Sequence, residues 1–213
     1  MLSFQMFGIP VRIEPFFWLT MGFIGLMVHG GDPANLSLIL VFIIAGFLSI
    51  LIHEFGHAFM IRKYGLPTAI TLIAFGGYAS YPSGVLSRKQ SFLVTAAGPG
   101  VQVLFGLLVL FLLPYSPIPR ESLLYACGQY FVLVSIFWAI LNCLPIYPMD
   151  GGQMLAAILG PKREQFVYLT GFVVAILIGA IGFIYLQAIL LPVFMGFFAW
   201  KNWQDYQSHS AGR

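Results

Sequence analysis

The hydrophobic pattern of the chain is a series of long apolar segments separated by short polar connections. A helix needs about 20 apolar residues to cross the hydrocarbon core of a bilayer, and several segments approach that length. They predict transmembrane helices over residues 15–28, 36–61, 91–113 and 123–144. The apolar tail over residues 166–200 suits either two short spans, 166–182 and 184–200, with a turn near Gly182, or one long span with an interfacial piece.

Two other segments have the pattern of strands. Residues 68–75 and 76–81 are mildly apolar and rich in Thr, Gly and Tyr, and the glycines Gly76 and Gly77 lie where they meet. This pattern predicts a β-hairpin between the second and third spans. Residues 3–13 predict one further strand before the first span. We therefore expect an all-α polytopic membrane protein with about six transmembrane helices and short membrane-associated β-strands.

The composition excludes an ordinary soluble domain. Of the 213 residues, 60% are hydrophobic and only 8% are charged, whereas a soluble domain carries about a quarter charged residues. The net charge of +3 comes from basic residues scattered at the ends of spans, so the expected partner is the lipid bilayer and not nucleic acid. No repeat, low-complexity tract or soluble module is evident, and we expect a single transmembrane domain over residues 1–213.

The basic residues favour six spans over five. With six spans, nine of the ten Lys and Arg residues lie on one side of the membrane, and only Arg120 lies on the other. With five spans, Lys201 and Arg213 change sides. Because basic loops tend to stay in the cytoplasm, we expect a multi-pass protein of the plasma (inner) membrane with both termini in the cytoplasm.

The second span contains three ionisable side chains, His53, Glu54 and His57, in an H-E-x-x-H pattern. On a helix, residues four apart share one face, so both imidazoles can bind one metal ion, with the glutamate beside it to accept a proton from water. Ionisable groups are rare within membrane-spanning helices and usually have a function. The alternative interpretation is a pair of buried histidines that are hydrogen-bonded to neighbouring helices.

Asp150 is the candidate for a third metal ligand, which a catalytic zinc site usually needs. It follows the fourth span in a segment that contains Pro145 and Pro148, and prolines at such positions break a helix. At membrane depth, a broken helix is tolerated where it lines a cavity or is buried in protein. The alternative is that Asp150 is the N-cap of a short helix over residues 151–159.

The H-E-x-x-H motif and the segment that contains Asp150 are expected at similar depths in the membrane. His53 lies nine residues before Arg62, which is about 13 Å below the cytoplasmic surface at about 1.5 Å per residue. The fourth span runs toward the same surface, and Asn142 is near its end. A broken segment that dips back from this end can bring Asp150 to the depth of His53.

With these motifs, the chain resembles the site-2 protease family, whose members are intramembrane zinc metalloproteases. Three separated elements carry the resemblance and occur in the family's order. They are His53-Glu54-Phe55-Gly56-His57, Ala96-Ala97-Gly98-Pro99 and the pattern N-x-x-P-x-x-P-x-D-G over residues 142–151. The chain is similar to a small member of the family, without the peptide-binding or cystathionine-synthase-type domains of larger relatives.

The resemblance implies a role for each motif residue. His53, His57 and Asp150 would bind one Zn²⁺ per chain, and Glu54 would be the general base. Asn142 would help to shape the catalytic site by holding the substrate or the oxyanion. A turn at Gly98-Pro99 would allow close packing near the core helices.

The resemblance also implies the reaction and the substrate class. Members hydrolyse a peptide bond within or near a transmembrane helix of a membrane-protein substrate, as in regulated intramembrane proteolysis. The hairpin around Phe75-Gly76-Gly77-Tyr78 is similar to the family's membrane-associated strand region. One hypothesis is that it pairs with an unwound substrate by strand addition, and the alternative is a packing loop without substrate contact.

Two other functions use the same residues. A membrane metal-ion transporter would use the two histidines and the aspartate as an ion site, but it gives Glu54 no distinct role. A transporter would also be expected to have further metal ligands along a path to the opposite face of the membrane. Near that face the sequence has only His29 and Asp32. We interpret His29 and His209 as surface histidines. An inactive scaffold is the third class, and the intact Glu54 argues against it.

Overall fold

The computed structural model describes residues 1–185 and 189–211, and seven α-helices and four β-strands are found within these ranges. The helices are α1 (Pro15–Val28), α2 (Leu36–Lys63), α3 (Arg88–Leu112), α4 (Leu123–Asn142), α5 (Asp150–Leu159), α6 (Glu164–Ile184) and α7 (Leu190–Ala211). The strands are β1 (Leu2–Met6), β2 (Ile9–Ile13), β3 (Ala69–Ile73) and β4 (Gly76–Ser80). The mostly helical fold with a small sheet confirms the predicted class. Arg213 and residues 186–188 of the predicted last span lie outside the described residues.

Four apolar helices in the described ranges are long enough to cross a bilayer. With their short flanking turns they are Leu36–Lys63, Arg88–Tyr115, Leu123–Asn142 and Pro161–Ile184. The helix α1 is equally apolar but has only 14 residues, and α7 carries Lys201 and Asp205 in its second half. The chain is a multi-pass membrane protein, while six spans and a single domain stay predictions.

The four strands form one sheet in the order β1-β2-β3-β4. Two antiparallel hairpins, β1–β2 and β3–β4, are joined by parallel pairing of β2 with β3. The expectation of a single strand over residues 3–13 is wrong, because the chain reverses at Phe7 and Gly8. Both residues have positive φ angles, 54° and 73°, as a two-residue hairpin turn of type I′ requires.

The described chain divides into two compact units. The first contains residues 1–85 and 97–140, and the second contains residues 86–96 and those from 141 onward. In the first unit, alternate residues of β2 and β3 are buried on one face of the sheet, as the period of a strand dictates. This face forms a core with apolar residues of α1, α2 and α4; its fully buried members include Ile9, Val11, Phe17, Ile70 and Leu72.

The core of the second unit is formed by α6, α7 and the segment that follows α4. Ile146 and Met149 of this segment pack with Ala175 of α6 and Met195 of α7. The helix α6 continues through Gly182 and ends at Ile184, two residues after the position at which the sequence predicted a turn. A Cβ at Gly182 would lie 2.9 Å from Leu191 Cδ2, and this glycine therefore permits close packing of two helices.

Candidate active site

The H-E-x-x-H residues lie on the inner face of α2. His53 and Glu54 are each 3% exposed, and His57 is 8% exposed. The two Nε2 atoms are 3.0 Å apart, and the ring planes are inclined by 78°. The spacing of four residues therefore brings one nitrogen of each imidazole to the same point, as the helical period predicts.

Close packing of α2 against α3 depends on two glycines. A Cβ at Gly98 would collide with the His57 imidazole, and a Cβ at Gly56 would lie 2.5 Å from the main-chain oxygen of Ala97. The expectation of a turn at Gly98-Pro99 is wrong, because α3 continues through Pro99. In a membrane protein, neighbouring groups can satisfy the backbone that a proline leaves unpaired. The Ala96-Ala97-Gly98-Pro99 element thus provides the surface against which His57 packs.

His53 is held on its other side by a polar side chain of α3. Its Nδ1 is 2.9 Å from Gln102 Oε1, and Gln102 is fully buried. The amide nitrogen of Gln102 is in turn 2.9 Å from Ser49 Oγ, one turn before His53 on α2. Gln102 was not among the residues predicted from the sequence, although an amide in the middle of an apolar span is unusual.

Asp150 is the first residue of α5 and is 7% exposed. The N-cap of this helix is Met149, so the alternative in which Asp150 is the N-cap is wrong. The next two residues, Gly151 and Gly152, leave no room for side chains. A Cβ at Gly152 would lie 2.5 Å from the carbonyl carbon of Ile146, and one at Gly151 would collide with main-chain carbonyls of the segment after α4. The two glycines therefore let α5 begin directly against the proline-containing segment.

A residue of α7 also holds this segment. The Nδ2 of Asn202 donates hydrogen bonds to the main-chain oxygens of Tyr147, at 2.6 Å, and of Phe198, at 2.8 Å. Asn202 is fully buried, and Tyr147 lies three residues before Asp150. Sequence reasoning did not identify Asn202, because α7 is distant along the chain and a single Asn near its polar half is not distinctive.

The structure brings together the three residues that the sequence suggested as ligands. His53, His57 and Asp150 each offer one ligand atom, and these atoms all lie within 4.8 Å of one another. No other such group of His, Cys, Asp or Glu is present in residues 1–185 and 189–211. Tetrahedral zinc has ligands at about 2.0–2.1 Å, which places ligand atoms about 3.3 Å apart. The separation of 3.0 Å between the two Nε2 atoms is close to this value, and two imidazoles with a carboxylate suit zinc.

The strand β4 runs beside Glu54. A Cβ at Gly77 would lie 2.8 Å from both Glu54 Cγ and Glu54 Oε1. Gly77 is opposite Leu72 in β3, whose side chain is buried in the core. The predicted hairpin thus contacts the glutamate of the H-E-x-x-H motif, which the sequence alone did not indicate.

The other residues singled out in the sequence lie at or near the ends of helices. Asn142 is the last residue of α4 and is partly buried. His29 is not a simple surface residue, because its Nδ1 is 2.7 Å from Gly25 O and its Nε2 is 2.8 Å from the Tyr130 hydroxyl. The side chain of His209 is 42% exposed, and its Nε2 lies 3.2 Å from Glu164 Oε2. This agrees with the prediction of a surface histidine in the tail.

Comparison with known proteins agrees with this geometry. A family model described as Peptidase family M50 matches residues 41–119 and 118–186. A putative zinc metalloprotease of Synechocystis sp. is 32% identical over 167 residues, which cover 72% of this chain and 42% of that protein. A zinc metalloprotease of Methanocaldococcus jannaschii is 29% identical over 163 residues, which cover 75% of this chain and 45% of that protein. The chain thus spans less than half the length of these curated relatives.

A solved structure is similar over nearly the whole chain. It is a site-2 protease from Methanocaldococcus jannaschii, with a TM-score of 0.65 and 26% sequence identity. The similarity covers 96% of this chain and 94% of that chain. The helices and the small sheet therefore follow the fold of that protein.

Proposed function

The chain belongs to peptidase family M50, and on this basis we propose that it is an intramembrane zinc metalloprotease of the site-2 type. It hydrolyses a peptide bond within or near a transmembrane helix of a membrane-protein substrate. The observation that carries this proposal is the buried group of His53, His57 and Asp150, whose ligand atoms lie within 4.8 Å of one another. Glu54 directly follows His53 in α2, and both side chains are buried.

The two imidazoles and the Asp150 carboxylate would hold Zn²⁺. The bound ion would supply Lewis-acid activation of water and of the scissile carbonyl group. The chain's own residues handle the proton. Glu54 accepts it from the attacking water and delivers it to the leaving amine, so one carboxylate acts as base and then as acid. Asn142, at the end of α4, holds the substrate or donates a hydrogen bond to the developing oxyanion.

The substrate adds as an extended strand to the outer edge of β4. The register of the sheet supports this hypothesis. The Glu14 N–H donates to Leu72 O at 3.0 Å, so the main-chain groups of Leu72 face β2. In an antiparallel pair, a residue opposite such a position also points its own N–H and C=O away from the partner strand. Gly77 is opposite Leu72, and its main-chain groups therefore face the outer edge of the sheet.

Ala79, two residues further along β4, has the same orientation as Gly77. No other strand among the described residues pairs with this edge. A substrate segment that binds there receives main-chain hydrogen bonds and runs past Glu54, against which Gly77 packs. Unwinding is required in any case, because the carbonyl groups within a helix are already hydrogen-bonded.

The protein lies in the plasma (inner) membrane with both termini in the cytoplasm. The distribution of basic residues supports this orientation. Arg62 and Lys63 are in the last turn of α2, Arg88 and Lys89 begin α3, and Lys162 and Arg163 directly precede α6.

The variant Glu54→Gln tests the protease proposal. It keeps the size of the side chain and removes the base, so cleavage of a transmembrane reporter substrate should fall about 10²–10⁴-fold. The zinc content of the purified protein should stay unchanged, because Glu54 is not one of the ligands. Glu121→Gln is the matched control, since Glu121 is exposed in the connection before α4, and it should cleave normally.

Normal cleavage by Glu54→Gln is incompatible with the proposed mechanism. Zinc uptake into vesicles by this variant would instead favour the transporter. The far-side residues that a transporter would use are already engaged. Both ring nitrogens of His29 have partners, and Asp32 Oδ1 accepts the Ala34 N–H at 2.8 Å.

A further inference from the structure

A buried chain of hydrogen bonds connects His53 of α2 with side chains of α3 and α4 in the first unit. It runs from His53 Nδ1 to Gln102 Oε1 at 2.9 Å, from Gln102 Nε2 to Ser49 Oγ at 2.9 Å, and from Ser49 Oγ to Ser135 Oγ at 2.8 Å. Gln102, Ser49 and Ser135 are each 0% exposed. A polar chain of this kind in an apolar interior is stable only when its members satisfy one another.

The orientation of the Gln102 amide follows from its partners. Its Nε2 also lies 3.4 Å from the main-chain oxygen of Ser49, an atom that can only accept. The NH₂ group must therefore face Ser49, and the amide oxygen must face His53. Because an amide oxygen only accepts, His53 Nδ1 must be the nitrogen that carries the proton.

A neutral imidazole has one protonated nitrogen and one with a free lone pair. With the proton of His53 on Nδ1, the lone pair is on Nε2, the atom that lies 3.0 Å from His57 Nε2. The other tautomer would place a hydrogen where a metal ion must bind. Partners on the far nitrogen of a ligating histidine fix both the tautomer and the orientation of the ring.

We propose that Gln102 is a positioning residue that prepares His53 for the metal before the metal arrives. The Ser49–Ser135 pair in turn fixes the amide of Gln102, so the tautomer of His53 is set by contacts among α2, α3 and α4. The inference rests on the proposed zinc site, but it concerns the state of the protein without metal.

The direct test is the tautomer of His53 in zinc-free wild-type protein. The full chain is produced with ¹⁵N-labelled histidine, stripped of metal in lipid bilayers and studied by solid-state NMR. A His53→Ala variant identifies the His53 resonances among those of the four histidines. We expect the proton on Nδ1. A proton on Nε2, or an even mixture of the two tautomers, overturns the inference, and this measurement requires no variant of Gln102.

The second test is zinc affinity, measured by competition with a chelator and without any substrate. Gln102→Leu should weaken zinc binding about 10- to 100-fold, whereas Gln102→Glu keeps an acceptor for Nδ1 and should stay within a few-fold of wild type. Ser135→Ala removes only the last bond of the chain and should cause a smaller loss than Gln102→Leu. Gln90→Leu, at the start of the same helix, is the matched control and should bind zinc normally.

A merely structural role for Gln102 gives a different result. Gln102→Leu and Gln102→Glu would then both lower the unfolding temperature while zinc affinity stays at the wild-type value, and this outcome overturns the inference. A wild-type protein that binds zinc but cleaves no membrane substrate contradicts the protease proposal alone. The tautomer and the zinc affinities would stand in that case, because neither depends on cleavage.

Discussion

The single hydrogen atom that serves as the side chain of Gly98 leaves room for the His57 imidazole. A methyl group in its place would collide with the ring, including its Nε2. The same helix contains Gly100, at which a Cβ would meet nothing within 4 Å. These two glycines are two residues apart on α3, yet only Gly98 contacts a candidate ligand. At the scale of residues, the site thus depends on the absence of a side chain at Gly98 as well as on the ligands themselves.

We expect Gly98→Ala to weaken zinc binding and abolish most cleavage. Forcing a methyl group into a packed interior costs about 1–3 kcal/mol, and here the relief must come from movement of His57 or of α2. Gly100→Ala should retain zinc and activity and be slightly more stable, because alanine is favoured over glycine in a helix by up to about 1 kcal/mol. Zinc content and unfolding temperature of both variants check this. Equal zinc affinity in the two proteins would show that His57 is not constrained by Gly98.

At the scale of elements, β4 packs beside Glu54, and the segment after α4 leads to Asp150. The strand is the last in its sheet and is held against α2 by the buried Leu72 beside Gly77. The segment that leads to Asp150 is held by close packing against Gly151 and Gly152, in the first turn of α5, and by Asn202 of α7. Each element is therefore held in place by packing on one side. Each can be tested by a substitution that leaves the three candidate ligands unchanged.

Ala79→Pro should reduce cleavage while the sheet stays folded. Proline lacks the N–H that Ala79 presents at the outer edge of β4, and proline is tolerated in edge strands where that group faces outward. Ala79→Val keeps the N–H and suits a strand, so it is the control and should cleave at close to the wild-type rate. The two variants are compared by cleavage of the reporter substrate and by unfolding temperature. Full activity in folded Ala79→Pro would exclude strand addition at this position.

Asn202→Leu should lower both stability and zinc affinity. The substitution leaves the main-chain oxygen of Tyr147 without its bond from Nδ2, and an unsatisfied buried group costs about 1–3 kcal/mol. Because Tyr147 is three residues from Asp150, we expect the disturbance to reach the carboxylate. Gln204→Leu, exposed on the same helix, should change neither quantity. A loss of stability with unchanged zinc affinity would mean that Asn202 supports only the fold.

At the scale of the whole molecule, hydrophobic pattern and spacing predicted most of the architecture. The apolar segments became helices, and the hairpin over residues 68–81 became β3 and β4. The ligand candidates were also visible, because His53 and His57 share a helical face and Asp150 is a rare acid beside a broken helix. These features depend on local periodicity or on the scarcity of charge in a membrane protein, which a sequence displays directly.

The missed features depend on local backbone conformations that the sequence rarely reveals, or on contacts between distant segments. The reversal at Phe7 requires a positive φ in a residue other than glycine, which local sequence rarely reveals. Pro99 stays within α3 although proline usually ends a helix. The roles of Gln102 and Asn202 follow from which side chain or carbonyl each one meets. A sequence states that these amides are present but not what they face.

Reporter fusions test the proposed orientation of the whole molecule. A fluorescent protein that folds only in the cytoplasm should be active when fused after Val85 or at the C terminus. Alkaline phosphatase, which is active only outside, should work after Ile118, in the connection between α3 and α4. Cytoplasmic termini place six spans in the membrane. An active phosphatase at the C terminus would instead support five spans, since the last basic residues would then lie outside.

The amide of Gln102, which accepts the hydrogen bond from His53, affects the net charge of the site because it is neutral. A carboxylate is a common partner for a ligating histidine, but here Gln102 accepts the bond without adding charge. When zinc is bound and Glu54 and Asp150 are ionised, two positive and two negative charges cancel. Moving one net charge across a potential of 100 mV involves about 2.3 kcal/mol, whereas a centre with no net charge experiences almost none of this energy. The assembled centre should therefore be indifferent to the voltage across the membrane in which it lies.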